Sequence, residues 1–279
     1  MKGSYLKTTD NAYIYYETHG EGTTLILEPG FMCTTEFFNR NIEELSQTCQ
    51  VITFDPRGQG RSSKTLSRNT LERNADDISE LIDFLQLGRV ILCGWSIAGS
   101  IVASYWHKYG CSRLAGVGII DTPLYPFGDG EWNSYGYKNS DIDSYWTMMN
   151  NWYLNPDPYY QRLTDKMTMR PLLKEEEAFI KNELKKAAFW TGMELHFDFC
   201  QTDCTPFLEE LSVPAAFFAA DSKIYPKGID MARHYMEKVT VPARLYEYYK
   251  GGHMLFYDEA EKFHRDMNEF IQLCLEFKH

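Results

Sequence analysis

The sequence has 279 residues, of which 44% are hydrophobic and 15% aromatic, enough apolar side chain for a large buried core. Asp and Glu number 39 against 28 Lys and Arg, so the formal net charge is −11 at pH 7. Because an acidic chain repels phosphate groups and the sequence shows no basic run, neither nucleic acid nor a membrane surface is an expected partner.

The cysteines are seven, an odd number, and none form a C-x-x-C pair. Several, such as Cys93 and Cys274, lie among apolar residues, which is typical of reduced, buried thiols. Residues 1–9 lack the apolar core of a signal peptide. We therefore predict a cytoplasmic protein.

The first part of the chain predicts alternating strands and helices. Turn residues bound the strands, and apolar residues at spacings of three, four and seven mark the helices. The predicted strands cover residues 5–8, 12–18, 24–28, 50–54, 89–93 and 114–120, and the predicted helices cover residues 35–45, 71–85 and 97–109.

This rhythm breaks after residue 121, because residues 122–205 contain helical patterns but no convincing strand. It resumes with the predicted strands 213–219 and 242–248, a helix at 228–238 and a last helix from about Asp258, where Asp258 and Glu261 resemble an N-terminal capping pair. The expected fold is α/β, with a mostly parallel central sheet and helices on both faces. Its core comprises residues 1–121 and 206–279, and residues 122–205 form a helical insertion.

Residues 90–106 carry no charge and are almost long enough to cross a bilayer as one helix. A Gly-Trp-Ser sequence divides this segment, with β-branched residues before it and helix formers after it. A buried strand, a sharp turn and a buried helix are therefore favoured over a membrane span.

Ser96 lies in this turn, within Gly-Trp-Ser-Ile-Ala-Gly at 94–99. A serine is a poor nucleophile without a base to remove its proton, and a strand-to-helix turn exposes its oxygen at the sheet edge. The base that the sequence offers is His253, in a glycine-containing loop after the last predicted strand. The other histidines lack this context.

By these features the chain resembles the α/β-hydrolase superfamily, and within it the cofactor-free haloperoxidase and esterase branch. The resemblance covers residues 5–120 and 213–277. Besides the turn at 94–99, it rests on Glu-Pro-Gly-Phe at 28–31, Asp-Pro-Arg-Gly-Gln-Gly-Arg-Ser at 55–62 and Gly-Gly-His-Met at 251–254. It implies a cap over the site and a reaction that needs neither a metal nor an organic cofactor.

The resemblance also implies roles for individual residues. Ser96 is the expected nucleophile and His253 the expected base, and the backbone N–H groups of Phe31 and Ile97 form the expected oxyanion hole. Two departures concern neighbouring positions. Pro29 stands where the family usually has a histidine, and Ala98 stands where it usually has a glycine.

The acid that orients His253 is less evident. The family usually places it about four residues before a proline, and counting back from Pro226 reaches Ser222, which cannot act as an acid. Some members take the acid from the end of the preceding strand, which here is Asp121. We favour Asp121 and keep Asp221, beside Ser222, as the alternative.

Two further patterns concern the insertion and the nucleophile. His196, Cys200 and Cys204 recur every four residues and could bind zinc, but a buried helix face is favoured because no fourth ligand is evident. Trp95, beside the nucleophile, is an expected pocket wall. The insertion is also rich in rings and Met side chains, which predict its own small core and a lid over Ser96. These residues are Trp132, Tyr135, Tyr137, Tyr145, Trp146, Met148, Met149, Trp152, Tyr153, Tyr159, Tyr160, Trp190 and Phe197.

The predicted function is hydrolysis of an ester, thioester or lactone of a small hydrophobic molecule, by a monomer or homodimer. A carbon–carbon bond hydrolase, a hydroxynitrile lyase and a perhydrolase remain open, since they share fold and triad. Outside catalysis, a slow-turnover receptor for a small ligand and a protein that binds a partner through its aromatic insertion also remain open.

Overall fold

The computed structural model describes residues 3–128, 130–133 and 142–277. Within them, eight strands form one sheet in the order β1-β2-β4-β3-β5-β6-β7-β8. β1 pairs with β2, and β2 with β4, in antiparallel orientation, and the remaining pairs are parallel. The strands are β1 (Ser4–Lys7), β2 (Tyr13–His19), β3 (Thr24–Glu28), β4 (Gln50–Phe54), β5 (Val90–Trp95), β6 (Leu114–Ile120), β7 (Ala215–Ala220) and β8 (Ala243–Tyr248).

Helices connect these strands, and α4 to α7 all lie between β6 and β7. They are α1 (Asn39–Leu45), α2 (Leu71–Phe84), α3 (Ile97–Tyr109), α4 (Ile142–Leu154), α5 (Pro156–Met167), α6 (Lys174–Leu184), α7 (Phe189–Gln201), α8 (Gly228–Met236), α9 (Leu255–Asp258) and α10 (Ala260–Glu276). The four consecutive helices occupy the segment that the sequence predicts as an insertion.

The central strands are buried along their whole length, as β3, β5 and β7 show. Successive side chains of a strand point to opposite faces, so helices must cover both faces of the sheet. This confirms the predicted α/β fold with a mostly parallel sheet.

Two helix predictions needed correction. The predicted helix at 35–45 consists of a 3-10 turn at Thr35–Phe38 followed by α1. The expected capping pair was wrong: α10 begins at Ala260 without a side-chain cap, and Oδ2 of Asp258 accepts from the Gly252 N–H at 3.0 Å. A contact from the preceding loop therefore replaced the local cap.

The uncharged segment 90–106 divides into β5 and the first part of α3, as predicted. Among the described residues, no helix combines the length and apolar character that a membrane span requires. All seven cysteines are buried thiols without a disulfide partner.

The loop at 55–62 holds buried ion pairs behind the sheet edge. The Arg57 side chain is fully buried, and its Nε lies 2.6 Å from Oδ2 of Asp77 while its Nη1 lies 3.1 Å from Oδ2 of Asp10. The Asp55 carboxylate accepts from the Thr35 N–H at 2.8 Å and from the Arg61 N–H at 2.7 Å. Removing one residue of such an ion pair would leave a buried charge without its partner, which is strongly destabilising. The ion pairs therefore hold the loop in one position.

Candidate active site

Ser96 lies in a strained turn between β5 and α3. Its φ of 59° and ψ of −131° lie where residues other than glycine are rarely found, at a typical cost of about 1–3 kcal/mol. Close packing makes glycine necessary nearby. A Cβ at Gly94 would come within 2.3 Å of the Ala98 carbonyl oxygen, and one at Gly99 within 2.3 Å of Thr122 Oγ1.

The end of β6 anchors this turn. The Ser96 N–H donates to the Ile120 carbonyl at 2.9 Å, and the Thr122 hydroxyl donates to the Ser96 carbonyl at 2.7 Å. Because both backbone groups of Ser96 are held, the side chain is fixed at the carboxyl edge of the sheet.

The loop after β3 lies directly against this turn. A Cβ at Gly30 would come within 2.9 Å of Ser96 Cβ and 3.1 Å of the Trp95 carbonyl oxygen. Phe31 follows in this loop, and Ile97 is the first residue of α3, whose N–H has no partner within the helix. Phe31 and Ile97 both line the cavity that contains Ser96.

The structure brings His253 and Asp121 together. Nδ1 of His253 lies 2.7 Å from Oδ2 of Asp121, and both side chains are almost completely buried. Burial raises the pKa of the Asp121 carboxyl, and the hydrogen bond from His253 opposes that rise. Asp121 has a φ of 45°, so its backbone is also strained.

Asp221, the alternative acid, points elsewhere. It is exposed, and its Oδ1 accepts from the Ile229 N–H at 3.1 Å near the start of α8. Ser222 beside it donates to Oδ2 of Asp121 at 3.4 Å. Ser222, which occupies the family's usual acid position, therefore donates a hydrogen bond to the carboxylate of Asp121 at the end of β6.

The loop that carries His253 is held on two sides. The Trp95 indole N–H donates to the His253 carbonyl at 2.8 Å, and the two ring centres are 5.1 Å apart. A Cβ at Gly252 would come within 2.7 Å of the Met169 backbone nitrogen. The histidine loop thus packs tightly between β5 and the segment that follows α5.

Ser96, His253 and Trp95 line a common cavity of about 310 Å³. Helices α4, α5 and α7 supply part of its wall, including Met148, Tyr159 and His196. The volume lies at the lower end of the range typical of small-molecule sites.

Tyr225 also lines this cavity, although no pattern in the sequence predicted it as a site residue. Its ring is 2% exposed and meets the His253 imidazole edge-on, with ring centres 5.2 Å apart. Burial raises the pKa of the Tyr225 hydroxyl well above its usual range, and a hydrogen bond with the Ser96 side chain opposes that rise. The sequence offered one indication of this position, because Tyr225 directly precedes Pro226, the residue from which the position of the acid is counted.

Arg162 and Lys166 were missed as well, and both line the cavity from α5. The sequence of α5 shows a helical pattern but contains no family motif. It therefore does not indicate that these two side chains face a cavity. Only the packing of α5 above the sheet edge shows it.

The three residues considered for zinc separate in the structure. His196 and Cys200 lie on α7, with Nδ1 and Sγ 3.6 Å apart, whereas Cys204 lies beyond the end of that helix. In the part of the chain that the structure describes, no group of three or more His, Cys, Asp or Glu side chains is arranged for a metal ion. Burial lowers the pKa of His196 to about 4, so its ring is neutral at pH 7.

The aromatic residues of the insertion divide among three environments. Tyr145, Met149 and Trp152 are buried, which agrees with a small core of its own. Tyr159 and Met148 line the cavity. Tyr135 and Tyr137 lie outside the described residues. Four others are exposed: Trp146, Tyr153, Trp190 and Phe197.

Comparisons with known proteins agree with this architecture. The chain is 23% identical over 279 residues to a bifunctional esterase/perhydrolase of Acinetobacter calcoaceticus, covering 96% of this chain and 99% of that protein. Its structure is similar to an esterase from Exiguobacterium antarcticum, with a TM-score of 0.89, 19% identity and coverage of 97% and 100% of the two chains. A bromoperoxidase from Bacillus anthracis gives a TM-score of 0.88 at 20% identity, with the same coverage. Residues 19–265 match the alpha/beta hydrolase family, which confirms the resemblance drawn from the sequence, and the chain therefore belongs to that family.

Proposed function

We propose that this protein is a serine hydrolase that cleaves an ester, thioester or lactone of a small hydrophobic or aromatic molecule through an acyl-enzyme. The observation that carries the proposal is the 2.7 Å contact of Asp121 with His253, which lines the same cavity as Ser96. A histidine whose Nδ1–H is held by a buried carboxylate presents Nε2 as a base.

In the first step, the Ser96 oxygen attacks the carbonyl carbon of the substrate while Nε2 of His253 takes the hydroxyl proton. Asp121 keeps the imidazole in the required tautomer and stabilises the imidazolium. The negative charge of the tetrahedral intermediate falls on the former carbonyl oxygen, which accepts hydrogen bonds from the N–H groups of Phe31 and Ile97. The imidazolium then protonates the departing alcohol or thiol, and the acyl group remains on Ser96.

In the second step, His253 takes a proton from a water molecule, and the resulting hydroxide attacks the acyl carbon. The C–O bond to Ser96 breaks, the proton returns from His253 to the Ser96 oxygen, and the acid is released. In a lactone, the alcohol and acid leave as one molecule. None of these steps calls for a metal or an organic cofactor.

The substrate class follows from the cavity. Its volume of about 310 Å³ suits a small molecule, and walls such as Trp95, Ile97 and Phe199 favour an apolar group. We assign residues 122–205 the role of a cap, since α4, α5 and α7 cover the side of the cavity away from the sheet.

Tyr225 is assigned a positioning role. Its hydroxyl interacts with the Ser96 side chain, and its ring packs on the edge of the His253 imidazole. Two hydrogen bonds with Ser222 fix its backbone, one in each direction: Ser222 N–H to the Tyr225 carbonyl and Tyr225 N–H to Ser222 Oγ, both at 2.9 Å. The tyrosine thus restricts the directions available to the nucleophile before substrate binds.

Perhydrolysis is the second candidate, and the bifunctional esterase/perhydrolase named above favours it. Hydrogen peroxide would replace water in the second step. His253 would take its proton, and the hydroperoxide would attack the acyl carbon to release a peracid and restore Ser96. The first step would not change.

The proposal is tested by rapid mixing of the enzyme with p-nitrophenyl butyrate, with and without hydrogen peroxide. We expect a burst of p-nitrophenol equal to the enzyme concentration, and after acid quenching a butyryl group on the peptide that contains Ser96. Ser96→Ala removes the burst, whereas Ser104→Ala, further along α3, keeps it. A burst followed by no steady turnover would favour the alternative of a slow-turnover receptor for a small ligand. The absence of any acylated peptide would contradict the proposal.

A further inference from the structure

Two cationic side chains line the cavity among the described residues. Arg162 and Lys166 both line it from α5, one helical turn apart and therefore on the same face. Among the described residues that line the cavity there is no Asp or Glu. This composition is opposite to that of the whole chain, which carries a net charge of −11.

Neither cation has an acidic partner in the described part of the chain. The carboxylates of α5 are engaged elsewhere: Oδ1 of Asp157 lies 2.8 Å from Nζ of Lys185, and Oδ1 of Asp165 accepts from the Gln161 amide at 2.7 Å. Arg162 instead lies over an aromatic ring that itself lines the cavity, with its guanidinium carbon 5.2 Å from the centre of Tyr159. Arg162 and Tyr159 also line a neighbouring surface depression, so this contact lies at the wall shared by the two.

Arg162 and Lys166 are both exposed, so solvent and salt partly screen their charges. A cleft lined by one sign of charge nevertheless concentrates ions of the other sign. A guanidinium matches the two oxygens of a carboxylate, and an ammonium one turn away adds a second, mobile donor.

We propose that Arg162 and Lys166 bind a carboxylate of the substrate, so that the preferred substrate is a small ester, thioester or lactone bearing a second, free carboxylate. This inference rests on the proposed function, because it takes the cavity at Ser96 as the substrate site. The apolar walls bind the carbon chain between the scissile carbonyl and the carboxylate, and the cation pair selects against neutral molecules of the same length.

The test compares two esters with the same leaving group, the p-nitrophenyl monoester of glutaric acid and p-nitrophenyl hexanoate. The wild-type enzyme should favour the glutarate ester in kcat/KM. In the double variant Arg162→Gln/Lys166→Gln the ratio of the two kcat/KM values should fall by about two- to thirtyfold, as expected for two exposed ion pairs. Added salt should lower the wild-type preference in the same direction.

The matched control is Lys174→Gln/Lys227→Gln, which removes two exposed positive charges that do not line the cavity. It should keep the wild-type ratio. An unchanged ratio in the Arg162→Gln/Lys166→Gln variant, or a wild-type preference for the hexanoate, would overturn the inference.

A second readout separates this inference from the proposed function. Binding of the amides N-butyl glutaramate and N-butyl hexanamide is measured by calorimetry on the Ser96→Ala protein, where no turnover is needed. Tighter binding of the glutaramate, lost with Arg162 and Lys166, supports the carboxylate site even if no ester is cleaved. Equal binding of both amides rejects the site even if esters are cleaved.

Discussion

Nδ1 of His253 lies 2.7 Å from Oδ2 of Asp121, although 132 positions separate the two residues in the sequence. Asp121 follows β6 and His253 follows β8, and β7 lies between these strands in the sheet. Parallel strands place their carboxyl ends at one edge, so residues from distant segments meet there. The contact leaves Nε2 as the nitrogen that can accept a proton.

Replacing each of the two aspartates in turn should therefore show which one orients His253. Asp121→Asn should lower kcat on the order of 10⁴-fold, because an amide no longer favours the tautomer with a free Nε2. Asp221→Asn, which alters the contact with the Ile229 N–H outside the cavity, should change kcat less than about twofold. Steady-state kinetics with an activated ester measures both. Equal losses in the two variants would show that the acid is misassigned.

The contact between Gly30 and Ser96 predicts a steric effect on the oxyanion hole. Gly30→Ala would place a Cβ 2.9 Å from Ser96 Cβ, so the loop that carries the Phe31 N–H must move. Loss of one oxyanion donor costs about 10²–10³-fold in kcat. Gly88→Ala is the control, since nothing lies within 4 Å of its Cβ. A wild-type kcat in the Gly30→Ala enzyme would show that the Phe31 N–H is not part of the oxyanion hole.

The positioning role of Tyr225 predicts a loss in kcat without a loss of stability. Tyr225→Phe keeps the ring against His253 but removes the hydroxyl beside Ser96, and one hydrogen bond corresponds to about three- to tenfold in rate. KM and Tm should remain near their wild-type values. Tyr246→Phe, which removes a buried hydroxyl outside the cavity, should leave kcat unchanged. A lower Tm with unchanged kcat in Tyr225→Phe would indicate a purely structural residue.

The burial of Glu28 predicts that the free energy of unfolding depends on pH. Its side chain is fully buried, and neither carboxylate oxygen has a hydrogen-bond partner among the described residues. Burial raises the pKa of this carboxyl well above 4.5, and the nearby Asp77 charge adds to the rise. Because the folded-state pKa is the higher one, the contribution of the protonated form to stability is complete below 4.5 and is lost as the pH rises toward the folded-state pKa.

Glu28→Gln removes this titration while keeping the shape of the side chain. The variant should match the wild type at low pH and become increasingly more stable than the wild type, in the free energy of unfolding, as the pH rises above 4.5 toward the folded-state pKa of Glu28. Urea unfolding at several pH values measures the difference, and exposed Glu21→Gln serves as the control. A difference that does not change with pH would mean that Glu28 is ionised in the folded protein.

Much of the fold could be predicted because its patterns are local. The bounds of α3 and β6 agree with the predicted ranges 97–109 and 114–120, since each element is strongly apolar and ends at a turn. Ser96 and His253 could be singled out for the same reason: each lies in a glycine-containing loop directly after a strand.

The remaining parts of the site depend on contacts that no local pattern contains. The sequence favoured Asp121 over Asp221 but could not show the 2.7 Å contact of Asp121 with His253, because that contact joins two loops 132 positions apart. Tyr225, Arg162 and Lys166 reach the cavity through the packing of distant segments. The capping pair expected at Asp258 failed for a similar reason, since the Gly252 N–H competes for that carboxylate.

The central claim is that Ser96 is a nucleophile activated by His253, and covalent labelling tests it most directly. The protein is treated with a fluorophosphonate and digested, and the modified peptide is identified by mass spectrometry. We expect one label per chain on Ser96, no label in Ser96→Ala and labelling slowed by orders of magnitude in His253→Ala. Labelling of Ser96→Ala at the wild-type rate, or a wild-type protein that remains unmodified, would contradict the account.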